Sequence, residues 1–199
     1  MYVSRLTLSN ERRSVLWRQQ VYRVHQRLLL STGDQGRLLF RLHEDPRPYL
    51  LVQTQSAPDW DAAFGEFDVL ARSPEVKQFE PAFDAGQRLA FRLRANPTVK
   101  RDGRRQGLYR AGEQTDWLQR KASQNGFAVA GVTVQPQGKV TVRKRGQSPM
   151  RFCAVQYDGV LSVVDAAAFR RAVESGVGSG KGFGFGLLSV ASLSRAEEG

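Results

Sequence analysis

Cysteine and histidine are nearly absent from this sequence of 199 residues, which has one cysteine, Cys153, and two histidines, His25 and His43. A single cysteine excludes an internal disulfide and any zinc site built from thiolates. Two histidines are too few for a histidine-based metal site, so we expect neither a metal nor another cofactor. No apolar run reaches the roughly 18–20 residues of a membrane helix, and the first residues lack the apolar core of a signal peptide. These absences predict a cytoplasmic protein without a membrane partner.

Acidic residues are also scarce, with 19 Asp and Glu against 30 Lys and Arg, a formal charge of +11 and an isoelectric point of about 10.5. Arginine supplies 24 of the 30 basic residues, and its planar guanidinium matches phosphate geometry. Residues 85–151 carry 15 basic and 3 acidic residues, whereas residues 59–84 have a net charge of −5. A solvated basic face, or pairing between these two blocks, would explain part of this pattern. So much unmatched arginine in one block favours a polyanion as the partner.

Strand and helix patterns in the first half follow the order β-α-β-β-α-β. Alternating apolar and β-branched residues predict strands at residues 2–8, 37–42, 49–54 and 88–94. A helix is predicted from Asn10, its N-cap, to about Leu30, with an apolar face of Trp17, Val21, Val24 and Leu28. A short helix and an acidic loop are predicted within residues 58–84. This order is that of a ferredoxin-like unit, so residues 1–97 are predicted to form the N-terminal domain.

The second half repeats the same order if a first strand lies within residues 98–110. Helices are predicted at residues 113–125 and 165–175, and strands at residues 127–135, 140–144, 151–157 and 187–193. Residues 98–199 are therefore predicted to form the C-terminal domain. The predicted fold is α+β, with two ferredoxin-like (RRM-like) domains in tandem.

Glycine occupies every second position from residue 176 to residue 186. The segment lacks the third glycine of the dinucleotide fingerprint, and no Ser or Thr follows Lys181 as a P-loop requires. A flexible connector is one interpretation. The other is a loop whose backbone N–H groups approach phosphates, with Lys181 adding charge.

Tyr22 and His25 lie three residues apart on the first predicted helix and therefore share a face. A histidine with a pKa near neutrality can take or give a proton in phosphodiester cleavage. Tyrosine can orient the attacking group or donate to the leaving oxygen. A lone histidine on a helix is more often structural or simply exposed, and the spacing alone leaves that interpretation open. His43, in a turn beside acidic residues, is expected to be exposed and inert, and Trp60 and Trp117 are expected in the core.

The basic surface and the glycine-rich loop are the predicted RNA-binding groups. The residues assigned to them are Arg92, Arg94, Arg143, Lys144, Arg145, Arg151, Gly178, Gly180, Lys181, Gly182 and Gly184. RNA duplexes are recognised mainly through shape and phosphates, which suits such a surface.

Five segments together resemble the CasE-type CRISPR RNA-processing endoribonucleases of the type I-E Cascade complex. They are YVSR at residues 2–5, YRVHQ at 22–26, FRLRANP at 91–97, DWLQRK at 116–121 and the terminal glycine-rich stretch. That stretch fits the pattern G-φ-G-x₅-G-φ-G at Gly176, Gly178, Gly184 and Gly186, with Lys181 inside the x₅. The resemblance spans nearly the whole chain, although residues 59–84 and 98–110 carry no matching motif.

The resemblance implies two ferredoxin-like domains and metal-free cleavage of precursor CRISPR RNA at the base of the repeat stem-loop. The 2′-hydroxyl would attack the adjacent phosphate and leave a 2′,3′-cyclic phosphate and a 5′-hydroxyl. The family's catalytic histidine corresponds to His25 and its associated tyrosine to Tyr22. The resemblance also implies that the protein stays on the mature RNA as a subunit of Cascade.

Two alternatives from other classes stay open at this point. One is a non-catalytic subunit that binds an RNA stem-loop, and the other is a ribosomal or general RNA-binding protein. A pure binder needs neither Tyr22 nor His25, and a general binder predicts no cleavage and no preference for a stem-loop.

The combined substitution Arg143→Ala and Arg145→Ala should weaken binding to the RNA stem-loop, because these arginines belong to the most basic block. The slope of log affinity against log salt should fall by roughly one for each phosphate that the protein no longer neutralises. Binding measured across a salt series tests this, and an unchanged slope would mean that both arginines face elsewhere.

Overall fold

The computed structural model describes residues 1–33, 38–44, 46–144 and 146–193. Within them the chain forms two compact units. The first consists of Met1–Glu80 with two later segments, Val142–Met150 and Lys181–Gly184, and the second contains the remaining described residues, which begin at Pro81. Among the described helices, none combines the length and apolar character needed to cross a membrane.

The first unit contains a four-stranded antiparallel sheet. Its strands are β1 (Tyr2–Thr7), β2 (Leu38–His43), β3 (Tyr49–Thr54) and β4 (Glu75–Gln78), in the spatial order β2-β3-β1-β4. The register places Leu6 opposite Leu50 at the centre of the sheet. Connected in the order β-α-β-β-α-β, these elements form the ferredoxin-like unit that the sequence predicts.

Helices α1 (Arg12–Arg18), α2 (Val21–Leu29) and α3 (Trp60–Phe64) complete the first unit. Trp17, Val24 and Leu28 bury their side chains with Trp60 and Phe64 in one apolar core. The prediction of a single helix to Leu30 is wrong, because the backbone leaves the helical conformation at Gln20, with φ −99° and ψ 74°. The sequence gives no sign of this break, because it has no proline or glycine there and the apolar residues keep their helical spacing on both sides.

The second unit begins with β5 (Arg88–Ala95), a hairpin of β6 (Thr98–Arg101) and β7 (Arg104–Gly107), and α4 (Ala111–Gln124). The strands β8 (Phe127–Val142) and β9 (Met150–Val163), the helix α5 (Ala166–Ser175) and the strand β10 (Leu188–Ser192) follow. The sheet order is β10-β5-β9-β8, which is again ferredoxin-like. The β6–β7 hairpin forms a separate two-stranded sheet inserted between β5 and α4.

Strand β5 corrects the predicted boundary between residues 97 and 98. It pairs with β9 and β10, so it is the first strand of the second unit rather than the last strand of the first. The strand that closes the first sheet is β4, whose four residues are all exposed and give no apolar signal. Leu89, Phe91 and Leu93 are buried as the alternation predicts. The alternation of apolar residues does not specify, however, which of the two sheets the strand belongs to.

The largest fully buried side chains of the second unit are aromatic. Trp117 of α4 stacks on Tyr157 of β9 with ring centroids 6.1 Å apart, and Phe127 and Phe169 meet edge to face at 5.6 Å. The hydroxyl of Tyr157 donates to the carbonyl of Gln114, and burial raises the pKa of this hydroxyl far above its usual value. The expectation that Trp60 and Trp117 lie in the cores is confirmed.

Gly126→Ala should destabilise the second unit because Gly126 follows α4 with φ +74°, where an added Cβ would lie 2.5 Å from the carbonyl oxygen of Asp165. Backbone strain and overpacking together predict a loss of about 2–4 kcal/mol in the free energy of unfolding. Chemical denaturation followed by circular dichroism measures this loss.

Gly138→Ala is the matched control, since Gly138 has φ +81° but no atom within 4 Å of the added Cβ. It should cost only about 1 kcal/mol from backbone strain. Equal losses in the two variants would contradict the steric argument.

Candidate active site

Helix α2 presents Tyr22 and His25 on one flank. Val24 and Leu28 anchor the helix by packing into the core of the first unit. Because positions 22 and 25 are one helical turn apart, this anchoring leaves Tyr22 and His25 adjacent and half-buried.

The imidazole of His25 lies over the ring of Phe40, with centroids 6.2 Å apart and planes inclined by 13°. Its Nδ1 is buried and has no hydrogen-bond partner among the described residues. Proton exchange with a bound molecule must therefore use Nε2, the nitrogen that faces Gly182.

A short 3₁₀ turn, Lys181–Phe183, packs against α2 and β2 beside this imidazole. A Cβ placed on Gly182 would come within 3.1 Å of Nε2 of His25. The absence of a side chain at residue 182 therefore keeps the space beside Nε2 open. The predicted loop residues Lys181 and Gly182 thus belong to the same site as His25.

Lys144 brings a positive charge to this site from the connection between β8 and β9. Its Nζ lies 4.6 Å from the ring centroid of Tyr22 and 5.7 Å from that of Phe183. Such cation–π contacts hold the ammonium while leaving its N–H groups able to bind an anion.

The pKa of His25 is lowered from its usual value of 6.5. Burial is the larger cause, because it disfavours the charged imidazolium, and the nearby positive charge of Lys144 adds to the effect. At neutral pH the imidazole is therefore neutral and able to accept a proton. A neutral base, a phenolic hydroxyl and a fixed ammonium in one place suit proton transfer at a phosphate group.

The other residues predicted to bind RNA have varied surroundings. Arg92 forms an ion pair with Asp158, and Arg94 donates to Gln137 while lying over the Phe185 ring. Arg143 and Arg151 are exposed, whereas Arg145 lies outside the described residues. Gly178, Gly180 and Gly184 all have positive φ angles, which only glycine adopts without strain. Their contact with RNA stays a prediction.

His43 is not exposed as expected. It stacks on Tyr49 with centroids 4.3 Å apart, and its Nε2 accepts a hydrogen bond from Nε of Arg41. The adjacent strand β3 supplies Tyr49 opposite His43, a pairing that the turn-like local sequence does not reveal.

Sequence reasoning assigned Lys144 to the basic surface and missed its place beside Tyr22 and His25. It also missed Phe183. The one available signal was the aromatic residue close to Lys181 within the glycine-rich segment, because a phenylalanine in a glycine-rich loop needs a packing partner.

No group of three or more His, Cys, Asp or Glu side chains in the described part of the chain is arranged to hold a metal ion.

Residues 1–192 match the family model described as CRISPR associated protein. The chain therefore belongs to this family. Its class of protein is defined by two ferredoxin-like units and a glycine-rich segment. Its CasE-type resemblance is confirmed by the relatives that follow.

The CRISPR-associated endoribonuclease Cse3 of Thermus thermophilus is 35% identical over 192 residues, which cover 85% of this chain and 89% of the relative. The CRISPR system Cascade subunit CasE of Escherichia coli is 30% identical, covering 97% of this chain and all of the relative. A structure of the CRISPR endoribonuclease Cse3 bound to a 19-nucleotide RNA has a TM-score of 0.85 at 33% identity, over 96% of this chain and 100% of that one.

Lys144→Ala should raise the pKa of His25 towards 6.5, because it removes the smaller of the two causes of the lowered value. The pKa should stay below 6.5, since burial of the imidazole remains. An NMR titration of the imidazole protons measures the change.

Lys139→Ala is the control, because it removes the same charge from a lysine that lies over Tyr109 in the second unit. It should leave the titration of His25 unchanged. Equal shifts in the two variants would point to net charge rather than to Lys144.

Proposed function

We propose that this protein cleaves precursor CRISPR RNA with His25 as the proton-transfer group and Tyr22 and Lys144 as its partners. The chain is a CasE-type CRISPR RNA-processing endoribonuclease, in agreement with its named relatives. The observation that carries the assignment of the site is the close approach of Gly182 to Nε2 of His25, where an added Cβ would lie 3.1 Å from that nitrogen, with Lys144 and Tyr22 adjacent.

The attacking group in this reaction is the 2′-hydroxyl of the nucleotide before the cleaved bond. Neutral His25 accepts its proton at Nε2 as the oxygen attacks phosphorus, so that an O2′–P bond forms. The P–O5′ bond then breaks, giving a 2′,3′-cyclic phosphate and a 5′-hydroxyl. The leaving oxygen takes up a proton from the imidazolium of His25, or from the Tyr22 hydroxyl, which the imidazolium then reprotonates. This reaction uses no metal and no cofactor.

Lys144 and Tyr22 act on the charge that develops during this step. The phosphate gains negative charge on its non-bridging oxygens, and an ammonium already in place stabilises that charge without reorganisation. The Tyr22 hydroxyl orients the 2′-hydroxyl or donates to the leaving 5′-oxygen. Tyr22 also supports Lys144 through its ring face.

The basic groups that the sequence predicts give the protein its hold on the repeat stem-loop. Many phosphate contacts slow dissociation, so the protein remains on the mature RNA as a Cascade subunit. This role places it in the cytoplasm with the other Cascade subunits and no membrane partner.

His25→Ala should lower the rate of repeat cleavage by about 10²- to 10⁴-fold, the usual contribution of a general acid or base. The assay uses a labelled repeat stem-loop in excess chelator and measures single-turnover cleavage. In the wild type, the rate should rise with pH in the range below pH 6.5 and then level off. The reason is that the lowered pKa of His25 makes its neutral, basic form predominate at a lower pH than for an ordinary histidine. A 2′-deoxy nucleotide at the cleavage site should abolish the reaction.

His43→Ala is the matched control, since it removes the only other histidine and should leave the rate unchanged. Tyr22→Phe keeps the ring beneath Lys144 and isolates the contribution of the hydroxyl. Undiminished cleavage by His25→Ala, or cleavage that requires added metal, would overturn the mechanism. Binding without any cleavage by the wild type would favour the non-catalytic alternative.

A further inference from the structure

The second unit contains a cavity of about 510 Å³ whose walls are polar and basic. The β6–β7 hairpin supplies one wall, the C-terminal half of α4 another, and the start of the glycine-rich segment a third. The lining includes Lys100, Arg105, Lys121, Asn125, Gly178 and Ser179. All belong to the second unit, whereas His25 and its partners belong to the first.

Two of the basic residues are held directly opposite each other. Lys100 of β6 pairs in register with Arg105 of β7. Asp102 and Gly103, with φ angles of 49° and 75°, form the two-residue turn that fixes this register. Like charges at directly opposed strand positions destabilise a hairpin, so this arrangement favours an anion between them.

No carboxylate lines the cavity among the residues that the structure describes. Within the same residues, Lys100, Arg105 and Lys121 form no ion pair, and Lys121 donates instead to the neutral side chain of Gln124. Arg101, on the opposite face of the same hairpin, has Glu113 as its partner at 3.6 Å. On the cavity face, in contrast, the two opposed basic side chains of the hairpin both lack an ion-pair partner among the described residues.

The remaining walls carry neutral hydrogen-bonding groups beside an aromatic ring. Asn125 offers an amide and Ser179 a hydroxyl, which Asn96 holds at 3.2 Å. Gly178, with φ +86°, lies so close to Trp117 that an added Cβ would be 3.1 Å from the indole ring. Glycine at this position lets the main chain form a wall of the cavity.

We propose that this cavity binds one nucleotide of unpaired RNA next to the repeat stem, which deepens the proposed function and rests on it. The phosphate binds to Lys100, Arg105 and Lys121, and Asn125 and Ser179 hydrogen-bond to the base or the ribose. The volume lies within the range of cavities that hold small molecules. A paired nucleotide is unsuitable, because the hydrogen-bonding edge of its base is turned towards its partner strand.

The test compares a bare repeat stem-loop with the same stem-loop carrying a short unpaired flank on its 5′ or 3′ side. All RNAs carry a 2′-deoxy nucleotide at the cleavage site, so that binding is measured without cleavage. Lys100→Ala with Arg105→Ala should weaken binding of one flanked RNA by about tenfold and leave the bare stem-loop nearly unaffected. The salt slope for that RNA should fall by about 0.7 for each phosphate that the variant no longer neutralises.

Arg101→Ala with Arg104→Ala is the matched control, since it removes the same charge from the other face of the same hairpin. It should weaken all three RNAs equally and only slightly. Lys121→Gln reports on the same cavity from α4 and should reproduce the selective loss even if the hairpin variant misfolds.

Equal losses with bare and flanked RNA would overturn the proposal by assigning these residues to the stem. Losses no larger than those of the control would also overturn the proposal. The cavity would then be empty or would hold something else, such as an acidic segment of a partner protein. Cleavage of the bare, all-ribose stem-loop by the wild type is measured in parallel. Its absence would instead contradict the proposed function.

Discussion

The packing of α2 against the first sheet is the constraint on which the candidate site depends. Burial of Val24 and Leu28 sets the rotation of the helix, and that rotation places Tyr22 and His25 on the flank beside the 3₁₀ turn. A helix rotated by one residue would direct His25 into the core or away from the turn, since each residue turns the helix by about 100°. The apolar core thus determines where the candidate base lies.

Electrostatics at this site work through desolvation together with one neighbouring charge. Phe40 and the turn at Gly182 remove water from one side of His25, and Lys144 adds a positive charge, so both disfavour the imidazolium. The basic residues behind the net charge of +11 therefore have two different roles. Lys144 acts on the candidate base, while the arginines are proposed to provide affinity for a polyanion.

The glycine-rich segment depends on its glycines, because its backbone adopts conformations and close approaches that other residues avoid. Positive φ angles at Gly178, Gly180 and Gly184 allow the sharp turns of the chain. Gly182 instead leaves space beside His25. The motif thus has a steric reason at each of these positions, and a flexible connector would require neither the close approach to Trp117 nor that to His25.

The sequence by itself determined the ferredoxin-like class of both units, the buried faces of α2 and β5, the shared flank of Tyr22 and His25, and the glycine motif, since each depends on local periodicity or on residue type. It also determined the family through the ordered motifs. Only the tertiary structure decided that β4 closes the first sheet and β5 begins the second. It likewise brought Lys144 to Tyr22 and His25 and grouped Lys100, Arg105 and Lys121 around one cavity. Such contacts join segments far apart in the chain, and they depend on competing packing and pairing free energies that a local pattern does not encode.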